Sequence, residues 1–310
     1  MTIAINKLKK VFNSLEAPLT LALIIIFLFI SKGVARHVHT GLLLCFNVII
    51  GTVFPFSLIT DFASTRLSSQ SGGFTEAIFE KAFKISGVAL SAFICGTLSG
   101  FPLGARLADD LYSDGAISKD EYERLIGICT GSSPAFVISG IGAGMRGSIS
   151  EGVLLYVISI FSTLTVGMLI SRGHAPSITQ GMPVTPKYSF TESVKSATLT
   201  TLSICGFVTV FSVICGIFIS LPISNGLKLL ALPFLELSNA ASVFSDSPYL
   251  TDNASLIITA FAISFAGLCA HVQVRSFISH SEISMKRYYI MKLLSASISA
   301  LITALVLNIG

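Results

Sequence analysis

The stretch Ser99–Met145 reads SGFPLGARLADDLYSDGAISKDEYERLIGICTGSSPAFVISGIGAGM, and it decides the fold. Two apolar segments flank a charged connection, and each segment contains residues that break helices. In the first, glycines recur every four residues from position 96 to 104, and Pro102 removes a backbone donor. In the second, Gly-Ser-Ser-Pro occupies positions 131–134. Broken helices at membrane depth are tolerated where the freed backbone groups face protein or a water-filled cavity. In transporters such breaks mark the binding site, because the ends of half-helices offer N–H groups to anions.

The composition is that of a membrane protein. The 310 residues are 52% hydrophobic and only 12% charged, whereas a soluble domain carries about 25% charged residues. A membrane-spanning helix needs about 20 apolar residues, and nine windows carry no charge or a single one. These windows are 17–31, 40–60, 85–105, 125–145, 152–171, 196–227, 229–245, 253–270 and 293–310. The sequence therefore predicts an all-α, multi-pass protein of the lipid bilayer with about eight or nine transmembrane or re-entrant helices. The net charge of +4, without a basic tail, argues against nucleic acid as a partner.

The two halves of the chain resemble each other in short blocks. Residues 264–275 are similar to 97–106, residues 283–288 to 117–122, and Pro233-Phe234 to Pro55-Phe56, in the same order along the chain. We therefore expect two repeats that are inverted in the membrane and contain broken helices. The predicted division is a first repeat with its lead at 1–145, a connecting helix and proline-rich linker at 146–195, and a second repeat at 196–310.

The broken stretches supply the first candidate site residues. These are Ser99, Gly100, Pro102, Gly104, Ser132, Ser133 and Pro134. Their backbone N–H groups and serine hydroxyls are suited to contact a substrate. The alternative is helix packing, because small residues four apart let helices approach closely. Packing alone does not call for proline, which favours the binding interpretation for the residues next to Pro102 and Pro134.

Polar residues in apolar windows of the second half supply the remaining candidates. Ionisable groups at membrane depth are costly and commonly functional. Glu236, with Asn239 beside it, either binds a proton or cation or pairs with an arginine. Arg106 and Arg275, at matching positions of the two repeats, either face an anionic substrate or are charges at helix ends. His271 and Gln273 are predicted to line the site.

Catalysis is a weaker interpretation of the same residues. Ser132 or Ser133 with His271 would form a serine–histidine pair, but the stretch lacks a recognisable protease motif. None of the six cysteines forms a CxxC pair, so neither a metal site nor a redox site is predicted. We expect a protein that is not an enzyme and needs no cofactor.

Four blocks of the sequence resemble a known family. They are residues 100–125, 131–145, 236–240 (ELSNA) and 264–274 (SFAGLCAHVQV). They look like the sporulation integral membrane protein family YlbJ, also called stage V sporulation protein V. That family carries the nucleoside-recognition gate domain and is similar to concentrative nucleoside transporters. The chain departs from the family at Phe101, where members usually have tyrosine, and near Gly131 and Ser132, where they have asparagines. It also looks shorter than typical members.

The resemblance implies a transporter of dipicolinic acid, a small aromatic dianion, across the outer forespore membrane during sporulation. It places the site on matching blocks at Gly100, Pro102, Gly104, Ser132, Pro134, Asn239, Gly267, His271 and Gln273. The expected location is the bacterial cell membrane or the outer forespore membrane, and the expected partner is an anionic small molecule. Formation of a homo-oligomer is left open. The alternatives are a carrier of nucleosides or other small metabolites, and a membrane scaffold that does not transport.

Overall fold

A computed structural model describes residues 31–67, 73–175, 189–280 and 282–309, and every regular element within these ranges is helical. The prediction of an all-α protein is confirmed. Residues 17–30 of the first predicted span and residues 176–188 of the proline-rich linker lie outside the described residues.

The described helices follow one another along the chain. They are α1 (Ser31–Leu44), α2 (Ile50–Leu67), α3 (Phe74–Phe83), α4 (Leu90–Ser99), α5 (Phe101–Ser113), α6 (Lys119–Cys129), α7 (Ile149–Ser171), α8 (Phe190–Ser220), α9 (Asn225–Leu235), α10 (Leu237–Ser245), α11 (Asp252–Phe265), α12 (Gly267–Ser276) and α13 (Lys286–Ile309). A π-helical turn at Cys45–Ile49 joins α1 to α2, and a longer π-helix covers Ala135–Met145.

Five of the described segments are long and apolar enough to cross a membrane. They are Gly33–Thr60, Ile149–Ser171, Phe190–Ser220, Asp252–Ser276 and Lys286–Asn308. A sixth is reached if the pair Phe74–Phe83 and Gly87–Ser99, bent by 99°, counts as one span. The predicted windows 85–105, 125–145 and 229–245 are instead built from shorter helices. Their breaks lie at Gly100, at Thr130–Ser133 and at Glu236, where the backbone leaves the helical conformation.

Gly100 turns the chain back on itself. Its φ of 100° is a conformation that favours glycine, and it ends α4 and begins α5. The two helices then pack face to face, so closely that a Cβ on Gly96 would lie 2.7 Å from the Cα of Gly104. Helices α9 and α10 also pack against each other across Glu236. Each half of the described chain therefore contains a helical hairpin.

The broken helix of the second half has a different shape. Helices α11 and α12 run on as the single candidate span Asp252–Ser276, interrupted only at Ala266. The similarity between residues 264–275 and 97–106 therefore does not correspond to a common structure, since one segment continues and the other folds back.

The order of the elements is nevertheless similar in the two halves. In order along the chain, the hairpin α4–α5 is followed by α6, the π-helix and α7. The hairpin α9–α10 is likewise followed by α11, α12 and α13.

The start of α6 holds several connections together. A capping box begins this helix, because the Ser118 hydroxyl accepts from the Glu121 N–H and the Glu121 carboxylate accepts from the Ser118 N–H. The other oxygen of Glu121 accepts from the N–H of Ser86, at 2.8 Å. Arg124 donates to the carbonyl oxygens of Phe83 and Lys84 at the end of α3. The first turn of α6 thus fixes the entry to the hairpin.

A second set of contacts joins this region to the loop between α12 and α13, and we call it the polar clamp. The Asp109 carboxylate accepts from the Tyr122 hydroxyl at 2.8 Å and from the Ser279 hydroxyl at 2.7 Å. Glu123 accepts from the Ser284 N–H at 3.0 Å. The bonds to Ser279 and Ser284 connect residues that are 170 and 161 positions apart in the chain, whereas the bond to Tyr122 is local. The two halves of the protein are therefore tied together at this end.

A cavity at the helix breaks

The broken helices surround one cavity of about 550 Å³, a volume that includes the part open to the outside. Its walls come from the tip of the hairpin α4–α5, the stretch before the π-helix, the tip of the hairpin α9–α10, and the junction of α11 with α12. Apolar side chains of the first π-helical turn, α2 and α8 complete the wall, among them Ile49, Val53 and Ile204. The breaks at Gly100, Thr130–Ser133, Glu236 and Ala266 therefore lie around one cavity.

Half of the predicted site residues line this cavity. They are Ser99, Gly100, Pro102, Ser132, Ser133, Glu236 and Gln273. Phe101, Ser238, Ala266 and Cys269, which are not among the predicted site residues, lie beside them.

The N-terminus of α5 opens onto the cavity without a side-chain cap. Gly100 stands at the cap position and Pro102 lies in the first turn, where its missing N–H costs nothing. The hydroxyl of Ser99 is directed to α2, where it bonds with the Thr60 hydroxyl at 2.6 Å and donates to the Phe56 carbonyl at 3.1 Å. The N-terminus of α5 therefore presents backbone N–H groups and its positive dipole end to the cavity.

Glu236 caps the opposite hairpin and is 3% exposed. Its carboxylate accepts from the N–H of Ser238 at 2.9 Å, and from the N–H and the side-chain amide of Asn239, both at 2.7 Å. The side-chain amide of Asn239 also donates to the Ser212 hydroxyl on α8. The carboxylate thus satisfies the N-terminus of α10 from within the protein, and no arginine pairs with it among the described residues.

The remaining two breaks are also helix starts. Ser132 donates to the carbonyl of Ile263, near the end of α11, at 3.3 Å, and Ser133 accepts from the Phe136 N–H at the start of the π-helix. Across the cavity, Ala266 has a φ of 78° and α12 begins without a side-chain cap. Gly267, with φ of 76°, packs against the tip of the other hairpin, and a Cβ there would lie 3.0 Å from the Leu235 carbonyl oxygen. Two uncapped helix N-termini, those of α5 and α12, therefore point into one region.

Several predicted residues lie outside the cavity lining. These are Gly104, Arg106, Pro134, Asn239, Gly267, His271 and Arg275. Gly104 packs against α6, where a Cβ would lie 2.0 Å from the Cys129 carbonyl oxygen. Arg106 donates to the hydroxyl of Ser196 on α8, and Arg275 is exposed and donates to the Ile278 carbonyl at 2.9 Å. The expectation that both arginines face a substrate is not matched by this geometry, because their helices direct them elsewhere.

His271 is buried next to the cavity in a group of aromatic rings. Its Nδ1 and the Tyr288 hydroxyl lie 2.9 Å apart, and its Nε2 has no hydrogen-bond partner among the described residues. The rings of Phe265 and Tyr289 stand edge-on to the imidazole. Ser132 and Ser133 bond to backbone atoms, so the serine–histidine pair considered from the sequence is not formed.

Lys292 is the functional candidate that the sequence analysis missed, because it was taken as the boundary of the last span. It lies inside α13, is 1% exposed and donates to the Thr130 carbonyl at the break before the π-helix. Its ammonium lies 5.6 Å from the centre of the Phe101 ring and 5.7 Å from that of Tyr288. The spacing of Tyr288 and Lys292, four residues apart, would have placed both on one helix face.

The site is suited to bind a small polar molecule. Helix N-termini favour anions, and serine hydroxyls and the Gln273 amide supply hydrogen bonds. Among the described residues no three His, Cys, Asp or Glu side chains gather as metal ligands. Small-molecule sites commonly combine an apolar wall with a few polar groups, as this cavity does.

Comparison with known proteins found one informative relative. No family model matches the chain and no solved structure matches it. The sporulation integral membrane protein YlbJ of Bacillus subtilis (strain 168) is 24% identical over an alignment of 339 positions, which covers 92% of this chain and 82% of the relative. The similarity therefore includes the described helices on both sides of the cavity. Together with the membrane-spanning helices, it shows that the chain is a multi-pass integral membrane protein that is similar to YlbJ.

Proposed function

We propose that the protein carries a small organic anion across the membrane, and that dipicolinate is its substrate. The observation that carries the proposal is the convergence of four helix breaks on one cavity among membrane-spanning helices, with the N-termini of α5 and α12 uncapped. Uncapped N-termini bind carboxylates through backbone N–H groups and through the helix dipole. An aromatic dicarboxylate also suits the apolar wall formed by Ile49, Val53 and Ile204.

The order of the elements supports a mechanism of alternating access. A hairpin, a broken helix and a continuous span occur in this order in each half, which is the arrangement expected of two inverted repeats. In this alignment the first repeat extends through α7, beyond the boundary at residue 145 predicted from the sequence. Movement of the hairpin tips relative to the surrounding spans would open the cavity to one side of the membrane at a time.

The relative is named as a sporulation protein, which supports a role in sporulation, and we propose the outer forespore membrane as the location. The chain would then deliver dipicolinate made on one side of that membrane to the other. In this proposal the substrate gradient drives net flux.

A second candidate is the transport of a neutral polar metabolite such as a nucleoside. The observation that favours it is the presence of the Glu236 carboxylate and the Gln273 amide on the cavity wall, since such groups bond well to hydroxyls and to base edges. The hydrogen bonds that Glu236 accepts from the start of α10 argue for the anion, because they offset the negative charge of this carboxylate.

The test is exchange of labelled dipicolinate by the purified protein in liposomes, with unlabelled dipicolinate, uridine and phthalate as competitors. Two variants on the same helix provide the comparison. Gln273→Ala removes a side chain from the cavity wall, whereas Arg275→Ala removes an exposed one. We expect Gln273→Ala to weaken exchange about tenfold, as loss of a buried hydrogen bond of about 1.4 kcal/mol would do. Arg275→Ala should behave as the unmodified protein.

Competition by uridine, without exchange of dipicolinate, would replace the anion by a neutral metabolite. Absence of exchange by folded protein for every compound would refute transport. It would favour a membrane scaffold, which tolerates Gln273→Ala and is sensitive to changes in its loops.

A further inference from the structure

The ammonium group of Lys292 has an unusual environment. It is 1% exposed, and among the described residues no carboxylate lies within ion-pair distance of it. The Thr130 carbonyl accepts one of its three donors. A charged group at membrane depth is expensive unless it is paired, so an ammonium with a single neutral acceptor has capacity for an anionic partner.

The aromatic ring nearest to the ammonium belongs to a residue of the cavity wall. Phe101 is the first residue of α5 and forms part of the cavity wall, and the centre of its ring is 5.6 Å from the Lys292 ammonium. Thr130, which holds the ammonium, directly precedes Gly131 and the cavity-lining Ser132. Lys292 thus lies directly behind the cavity wall, close to the uncapped N-terminus of α5.

We propose that Lys292 is the cation that binds a substrate carboxylate in this cavity, reached when the Phe101 ring turns aside. The inference rests on the proposed transport of an anion, and it assigns the preference for an anionic substrate to Lys292. The ammonium and the N–H groups of α5 would then hold one carboxylate from two sides. Arg106 and Arg275 are less suited to this role, because Arg106 bonds to Ser196 on α8 and Arg275 is exposed and bonds to the Ile278 carbonyl.

The experiment compares two ligands of the same shape and different charge. Binding of pyridine-2,6-dicarboxylate and of the neutral pyridine-2,6-dicarboxamide is measured on the purified protein in detergent by calorimetry. The variants are Lys292→Gln, which keeps a donor for the Thr130 carbonyl without the charge, and Lys292→Met, which removes both. Lys286→Met, at the exposed start of the same helix, is the matched control.

We expect the unmodified protein and Lys286→Met to bind the dicarboxylate in preference to the dicarboxamide. In Lys292→Gln the affinity for the dicarboxylate should fall about tenfold or more, while that for the dicarboxamide stays the same. If Lys292→Met does not fold, Lys292→Gln decides, because it preserves the contact to Thr130.

Equal dicarboxylate affinity in Lys292→Gln and the unmodified protein would overturn the role of Lys292 and leave the proposed function standing. Failure of the unmodified protein to bind the dicarboxylate, or an equal preference for the dicarboxamide, would overturn the anionic substrate and the role of Lys292 with it.

Discussion

Replacing Gly104 with alanine tests whether the hairpin α4–α5 is held by backbone packing against α6. The added methyl group would lie 2.0 Å from the Cys129 carbonyl oxygen, whereas ordinary contacts begin at 3.4 Å. Because the obstacle is backbone, the hairpin as a whole has to move away from α6. Overpacking costs about 1–3 kcal/mol, and a clash with backbone belongs at the upper end. We expect a net loss of about 2 kcal/mol, because alanine gains up to about 1 kcal/mol of helix propensity. The ratio of folded to unfolded protein would fall about thirtyfold.

The assay is denaturant titration in detergent micelles, followed by the helical circular dichroism signal. Gly206→Ala is the matched control, since Gly206 lies inside α8 and a methyl group there meets nothing within 4 Å. It should be neutral or stabilising by about 0.5–1 kcal/mol. Equal stabilities of the two variants would refute the close approach of the hairpin to α6 and return Gly104 to the list of candidate ligands.

Three further predictions concern stability and use the same titration. Ala266→Gly should raise the free energy of unfolding by about 1 kcal/mol, because glycine adopts the φ of 78° without strain; a loss would show that the methyl group packs favourably. Glu236→Ala should cost about 3 kcal/mol, since three donors, one buried and two partly buried, lose this acceptor, whereas removal of the exposed cap of α11 in Thr251→Ala should cost about 1 kcal/mol. Similar losses in these two variants would contradict the capping role of Glu236. Tyr122→Phe should cost about 1.5–3 kcal/mol, because its hydroxyl bonds to the buried Asp109 carboxylate; an unchanged midpoint would exclude that bond.

The positions of most helix breaks were predictable from the sequence, and one was not. Gly100, the Gly-Ser-Ser-Pro stretch and Glu236 are poor residues for the interior of an apolar helix, so their local chemistry already indicates a break. Ala266 is a good helix former. Its left-handed conformation lies beside the contact between Gly267 and the tip of the other hairpin, which is a tertiary interaction.

The charged residues of the site were the hardest to predict. Arg106 and Arg275 were chosen because they stand at matching positions of the two predicted repeats, but the directions of α5 and α12 turn them away from the cavity. Lys292 was passed over because a charge was taken to end a span. Its burial depends on how α13 packs against the break that follows α6, and no periodicity in the sequence encodes that contact.

The polar clamp has a consequence for the time at which the first half of the chain can become fully buried during synthesis. Asp109 and Glu123 belong to the first half of the chain, while Ser279 and Ser284, which satisfy them, are synthesised 170 and 161 residues later. At about 5–20 residues per second, the acidic groups wait roughly ten to thirty seconds for these partners. During that time the newly inserted hairpin and α6 keep carboxylates that have to remain in contact with water. The acidic groups of the first half are therefore fully buried only after the last two helices have been inserted into the membrane. Insertion of this final segment completes the assembly of the first half.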